Sequence, residues 1–220
     1  MEIKVGQNIL AANDAVAADN RAAFGRSIFA VNLMSSPGAG KTTLLERTID
    51  YLKDRLSLAV IEGDIATSFD ADRIRRHGTT AVQINTGGGC HLDAQMVQRA
   101  LCALDLTDLH LLLIENVGNL VCPAEFDLGE AAKIALVSVT EGDDKPLKYP
   151  ALFRDARVFL INKIDLLPYT DCDLHRLRSA ALSINPGLTV FEVSCRSGAG
   201  LQDWFSWLEG ETHRWRGRDE

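Results

Sequence analysis

Eight consecutive residues, Ser35-Ser36-Pro37-Gly38-Ala39-Gly40-Lys41-Thr42, put glycines, a lysine and a hydroxyl into one short turn. Binding a phosphate chain needs inward-turned amides, an open helix N-terminus and a cation, and this octapeptide offers all three. Gly38, Ala39 and Gly40 form the part that wraps the anion, because glycine adopts backbone conformations closed to other residues. Lys41 reaches the β- and γ-phosphates, the Thr42 hydroxyl ligates Mg²⁺, and Thr43 extends the nucleotide-binding set into the helix. The pattern G-x-x-x-x-G-K-[ST] begins with glycine, and here Ser35 stands at that position.

A second tetrapeptide selects the base. Asn162-Lys163-Ile164-Asp165 follows an apolar run at 158–161 and matches N-K-x-D. An ionised Asp only accepts hydrogen bonds, so it suits two adjacent donors. Guanine presents such a pair, N1–H and the 2-amino group, whereas adenine presents an acceptor and a C–H. Asp165 is therefore the expected guanine reader, with Lys163 laid across the base and Asn162 bracing the loop. Ser194-Cys195, after the run at 189–193, occupies the place of a second base-contacting loop.

Three carboxylates lie at the ends of apolar runs: Glu62, Asp64 and Glu115. Mg²⁺ on a triphosphate takes one or two carboxylates and the P-loop hydroxyl, and the expected set is Thr42, Asp64 and Glu115. In Glu115-Asn116-Val117-Gly118 the glycine N–H is placed to feel the γ-phosphate. Lys41, Thr42, Asp64, Glu115 and Gly118 thus form the expected catalytic group. No glutamine stands where a water-positioning residue would be sought, which predicts slow intrinsic hydrolysis of GTP to GDP.

Thr86-Gly87-Gly88-Gly89-Cys90-His91 presents a thiol and an imidazole side by side after three glycines. This donor pair suits Ni²⁺ or Zn²⁺. Two adjacent side chains cannot fill four positions, so further ligands must come from elsewhere or from a second copy; Cys122, seven residues after Glu115, is the candidate. A two-fold dimer would double the set. Cys102, Cys172 and Cys195 read as packed thiols.

Seven strand-sized apolar runs (29–34, 58–62, 80–84, 109–115, 134–139, 158–162 and 189–193) carry these motifs at their ends. Helical patterns at 43–56, 70–76, 92–104, 174–184 and 201–209 lie between them. The alternation predicts an α/β fold, a mostly parallel sheet with helices on both faces and ligands at the strands' carboxyl ends. A helix over 6–24 precedes the first strand, giving an N-terminal helix (1–26), a nucleotide domain (27–210) and a charged, flexible tail (211–220). With 220 residues, one domain is the default. The net charge of −7 argues against a nucleic-acid or anionic-membrane surface. Five cysteines without C-x-x-C, and no apolar block among residues 1–26, point to a reducing cytoplasm and no secretion signal.

Taken in order, these stretches, with Leu10 to Asp14, Glu62-Gly63-Asp64-Ile65-Ala66-Thr67, residues 115–123 and residues 141–150, resemble the hydrogenase-maturation nickel-incorporation GTPases, the HypB family. The similarity spans roughly residues 7–208. It implies a P-loop GTPase of the dimerising class, with metal at the dimer interface through the positions of Cys90, His91 and Cys122. It further implies delivery of nickel to the hydrogenase large subunit together with a small zinc-containing nickel chaperone. Related urease GTPases place a proline between the Cys and His, and here the two are adjacent. No cysteine precedes Cys90 and no histidine precedes His77, so N-terminal nickel storage is not expected. Two other readings stand beside this one: a GTPase chaperone for another metalloenzyme such as urease, and a P-loop small-molecule kinase.

Overall fold

Seven parallel strands form one sheet in the order β3-β2-β4-β1-β5-β6-β7 in the computed structural model, which describes residues 5–65 and 69–217. The strands are β1 (Phe29–Ser35), β2 (Leu58–Asp64), β3 (Thr80–Asn85), β4 (Leu111–Glu115), β5 (Ala132–Ser138), β6 (Ala156–Asn162) and β7 (Thr189–Glu192). The helices are α1 (Val5–Phe24), α2 (Lys41–Leu52), α3 (Phe69–Arg76), α4 (Ala94–Leu101), α5 (Cys122–Glu125), α6 (Lys145–Lys148), α7 (Pro150–Arg154), α8 (Leu174–Ile184) and α9 (Leu201–Arg216). The expected architecture is the one found.

β1 runs through the middle of the sheet, and each of its seven residues is buried. Phe29, Val31 and Leu33 point into a core shared with α2 and α9, through Leu45, Ile49, Trp204 and Leu208. Ile28, Ala30 and Met34 serve the opposite face, under α1, α4 and the segments around β5 and β6. Burial on both faces is why the strands read as unbroken apolar runs and not as alternating ones. Ahead of its terminal Ser35, one polar side chain, Asn32, interrupts β1.

Helix α1 lies against the start of α4. Asn13 and Asn20 bind the backbone of Ala94, Asp127 and Leu128 at 2.8–3.0 Å. Arg21 grips Asp127 at 2.8 Å. The approach is close: a β-carbon on Gly129 would lie 2.7 Å from the Ala17 carbonyl oxygen and from the Asn20 β-carbon.

The C-terminal segment differs from the expected flexible tail. Helix α9 continues through residue 211 to Arg216 because its last turns have partners. The buried Glu211 carboxylate takes Arg157 and Arg214, Thr212 donates to the Leu208 carbonyl at 2.8 Å, and Trp215 packs on Phe29. Charge in the sequence here marks ion pairing, not solvation; residues 218–220 lie outside the described residues. The short helices α5, α6 and α7 carry too few turns to show a period.

Gly129 combines a φ of +92° with that tight contact. Gly129→Ala is expected to destabilise the protein by about 2 kcal/mol or more. The denaturant midpoint measures this, and an unchanged midpoint would mean that α1 does not depend on the close approach.

Candidate functional site

Because all strands are parallel, their carboxyl ends share one edge, and the chemistry-bearing loops collect there. A cavity of about 510 Å³ opens at this edge, lined by Gly38, Gly40, Lys41, Thr42, Thr43, Asp64, Glu115, Gly118 and Lys163 among others. Gly40 takes φ 105°, and no side chain caps α2, so the helix start faces the cavity uncapped. That is an anion-binding arrangement. Ser35, at the position where the pattern has glycine, is buried at the end of β1 and accepts a hydrogen bond from Lys41 Nζ at 3.0 Å.

The base loop is bound to the P-loop. Asn162 Nδ2 donates to the Ala39 carbonyl at 2.9 Å, and Lys163 Nζ donates to the Gly38 carbonyl at 2.6 Å. Lys163 has φ 63°, a left-handed conformation uncommon for a non-glycine residue. The Ser194 hydroxyl donates to Asp165 Oδ1 at 2.6 Å, orienting the carboxylate. Cys195 contributes its backbone N–H to Asn162 Oδ1 at 3.2 Å, while its thiol is buried and its pKa is pushed up to about 11 by desolvation. Cys195 therefore acts through its main chain.

Beneath the P-loop, the parallel register sets Glu62 of β2 beside Glu115 of β4. Both are buried, and Glu115 Oε1 accepts from the Thr42 hydroxyl at 3.0 Å. Glu62 Oε1 and Glu115 Oε2 have no protein partner. Desolvation first pushes both carboxyls up; the charge of Glu115 and then that of Asp70 raise Glu62 further, to about 11, whereas Glu115 reaches about 7, raised further by Asp70 and lowered by its contact with Glu62. Lys41 acts in the opposite sense on both. Orphaned carboxylate oxygens around a threonine hydroxyl fit a hard divalent cation such as Mg²⁺. Asp64 sits further out, half-buried on the rim, its Oδ1 accepting the Ile65 N–H at 2.6 Å. Of the three carboxylates weighed from sequence, Glu62 is thus the one set against Glu115. Only the pairing of β2 with β4 brings them together, and sequence does not disclose it.

Two further lining residues, Asp70 and Arg73, carry no sequence motif. Arg73 holds Glu46 of α2 through two bonds of 2.8–2.9 Å and Asp70 at 3.1 Å, joining α3 to the P-loop helix. Ala66 and Thr67 lie outside the described residues.

The metal candidates converge. Cys90 Sγ lies 3.2 Å from Cys122 Sγ and 3.6 Å from His91 Nδ1, and the three ligand atoms all lie within 4.8 Å of one another. Among the described residues no other group of three His, Cys, Asp or Glu side chains meets this criterion. Gly87 and Gly88, both with positive φ, turn the chain ahead of Cys90, and Asn119 Nδ2 reaches the Cys90 carbonyl at 3.4 Å. Phe126 stacks on His91 with ring centroids 3.9 Å apart, and burial holds the imidazole pKa below its ordinary value. A neutral imidazole beside two sulfurs is a transition-metal donor set with an incomplete shell. Cys102 and Cys172 lie outside this cluster; Cys195 is buried and Cys172 half-buried, but Cys102 is exposed and so is not the packed thiol expected.

A family model described as CobW/HypB/UreG, nucleotide-binding domain, matches residues 29–192. The chain belongs to this family, in its HypB branch. Hydrogenase maturation factor HypB of Azotobacter vinelandii is 57% identical over 208 residues, 94% of this chain and 69% of that protein. The Escherichia coli K12 protein of the same name is 52% identical over 94% of this chain and 72% of its own length. A crystal structure of HypB from Helicobacter pylori in complex with nickel superposes with a TM-score of 0.87 at 38% identity, covering 94% of this chain and 98% of that one. HypB from Archaeoglobus fulgidus gives 0.86 at 41%, covering 92% and 100%. No helix among the described residues is long and apolar enough to cross a membrane.

The carboxylate pair makes a pH-dependent prediction for the nucleotide-free, Mg²⁺-free protein. A carboxyl whose folded pKa is raised favours folding below its unfolded value, near 4.5, and loses that contribution as pH rises towards the folded value. Stability should therefore fall as pH climbs from about 4.5 towards 7 through Glu115, with the Glu62 contribution still declining above that. Glu62→Gln is expected to gain about 1 kcal/mol or more at pH 8 and less at pH 5. Thermal melts at the two pH values test it, and an equal or reversed difference would contradict it.

Proposed function

We propose that this chain is a GTP-hydrolysing nickel carrier that serves maturation of a [NiFe]-hydrogenase. The observation that carries the reading is the Cys90–His91–Cys122 cluster, whose two arms both leave the edge that forms the nucleotide cavity. Nickel is cargo here. Its three ligands form a partly exposed, unfinished shell, which suits an ion that must be taken up and released. A second copy across a two-fold axis would complete the coordination, and a homodimer promoted by GTP is part of the proposal. The relatives named hydrogenase maturation factor, and the nickel complex of the H. pylori protein, support the same reading.

The chain's own residues divide the work on the nucleotide. Asp165, oriented by Ser194, reads the guanine edge, and Lys163 lies where it can cover the base. Gly38, Ala39, Gly40 and Thr43 line or shape the phosphate cradle, with the Lys41 ammonium compensating phosphate charge. Thr42, Glu115 and Glu62 would hold Mg²⁺, with Asp64 on the rim; bound there, the ion would neutralise charge on the phosphates. Gly118, whose added β-carbon would meet Pro37 at 3.0 Å, lies against the P-loop and can register the γ-phosphate by its N–H. No side chain among the described residues is assigned as the base for the attacking water, in keeping with a slow intrinsic rate. The small zinc-containing chaperone and the hydrogenase large subunit are the proposed donor and recipient partners, in the cytoplasm.

A urease client is a second reading, supported by a 40% identical H. pylori relative named hydrogenase/urease maturation factor HypB. The kinase reading has less support, since the base loop built around Asp165 serves guanine selection and not an acceptor substrate.

Cys90→Ala is expected to weaken Ni²⁺ binding at least tenfold and to abolish the thiolate-to-nickel absorption band. Retention of both would remove the cluster from the function. Asp165→Asn should collapse the preference for GTP over ATP by about a hundredfold, measured by competition with labelled GDP. A preference left intact would favour the kinase.

A further inference from the structure

Leu92, the residue after His91, is held from two sides by residues that line the nucleotide cavity. Its N–H donates to Asn116 Oδ1 at 3.0 Å. Its buried side chain sits so tightly on Gly63 that a β-carbon there would approach Leu92 Cγ and Cδ1 to 2.8 Å. Gly63 lies between Glu62 and Asp64, and Asn116 lies between Glu115 and Val117. Contacts from both carboxylate-bearing strand ends therefore converge on one residue of the metal loop.

Asn116 is built for this role. Its Oδ1 also accepts the Val117 N–H at 2.9 Å, so one oxygen bridges the loop leading to Gly118 and the loop bearing His91. Its Nδ2 donates to Asn32 Oδ1 at 3.1 Å, and Asn32 Nδ2 donates in turn to Glu130 Oε1 at 3.2 Å. Glu130 Oε2 takes the Leu128 N–H at 2.7 Å, which ends the chain under α1. All three side chains are buried, so each bond is costly to break and the amide has one allowed orientation. This accounts for the polar Asn32 in the middle of an apolar strand.

We infer that Asn116 is the positioning residue through which the nucleotide state sets the geometry of the nickel loop, acting on His91 and Cys90 by way of Leu92. The inference deepens the nickel-carrier reading and rests on it. Cys122 follows Gly118 along the chain, so a shift of residues 116–118 would move one sulfur directly and the Cys90–His91 arm through the Asn116–Leu92 bond. Both arms of the cluster would then respond together. Without that bond, the Cys90–His91 arm would keep only the packing of Leu92 on Gly63 and the long Asn119 bond to the Cys90 carbonyl, and would follow less.

The test titrates Ni²⁺ into the protein saturated with Mg²⁺ and either GDP or a non-hydrolysable GTP analogue, following the thiolate-to-nickel absorption. For the unmodified chain the two affinities should differ by about tenfold. In Asn116→Ala the ratio should fall below about twofold while nickel still binds. Asn116→Asp keeps an oxygen for the Leu92 and Val117 amides but loses the donor to Asn32, so its ratio should fall between those of Asn116→Ala and the unmodified chain. An undiminished ratio in Asn116→Ala would overturn the inference. Amide exchange of the unmodified chain supplies a readout independent of nickel: Leu92 protection should change at least about fivefold between the two nucleotide states. Unchanged protection overturns the inference even if Asn116→Ala fails to fold. Changed protection with equal nickel affinities in the unmodified chain would keep the link and sink the nickel-carrier coupling instead.

Discussion

Two carboxyl groups buried side by side cannot both carry charge in a low-dielectric interior without a proton or a cation between them. Glu62 and Glu115 stand in that position at the ends of β2 and β4, with the Thr42 hydroxyl bonded to one of them and Lys41 acting on both. The nucleotide edge is arranged around this constraint. Its P-loop, base loop and Gly118 surround a place where positive charge is wanted, and the supporting scaffold is apolar and close-packed. The empty valences of Glu62 Oε1 and Glu115 Oε2 mark the edge as built for something that the polypeptide does not itself contain.

The same strand ends reach the sulfur cluster. β2 supplies Gly63 under Leu92, and the residue after β4 supplies Asn116, whose amide is fixed through Asn32 to Glu130. Between the carboxylate pair and the candidate metal ligands there is thus no soft loop to absorb a displacement. Packing and a buried hydrogen-bond chain join the two. The N-terminal helix joins this framework from behind, since Asn13 and Asn20 both bind Ala94, the first residue of α4 after the Cys-His loop.

Much of the site was legible because its chemistry is local. The octapeptide at 35–42, the tetrapeptide at 162–165 and the Cys-His pair each contain their own functional groups within a few residues, and apolar runs mark the strands that precede them. The structure brings Lys41, Thr42, Glu115, Gly118 and Lys163 to one cavity and joins Cys122 to Cys90 across 32 positions. Glu62 was visible only as one of three acidic candidates, Arg73 and Asp70 had no motif to mark a role, and Asn116 stood within the 115–118 motif only at a variable position. Their significance comes from neighbours distant in the chain. The end of α9 departs from a charged tail for the same reason: Glu211 reads as a solvated charge until Arg157 of a distant strand is set beside it.

The sequence by itself determined the seven strands, their mostly parallel arrangement and which strand ends carry the candidate phosphate- and base-reading groups, because short-range periodicity and fixed spacings encode these. Tertiary structure alone decided which carboxylates share a low-dielectric site, which thiols touch, and which amide carries the link between them. Those properties depend on strand order and register, and a polar side chain becomes costly or coupled only once its surroundings have excluded water.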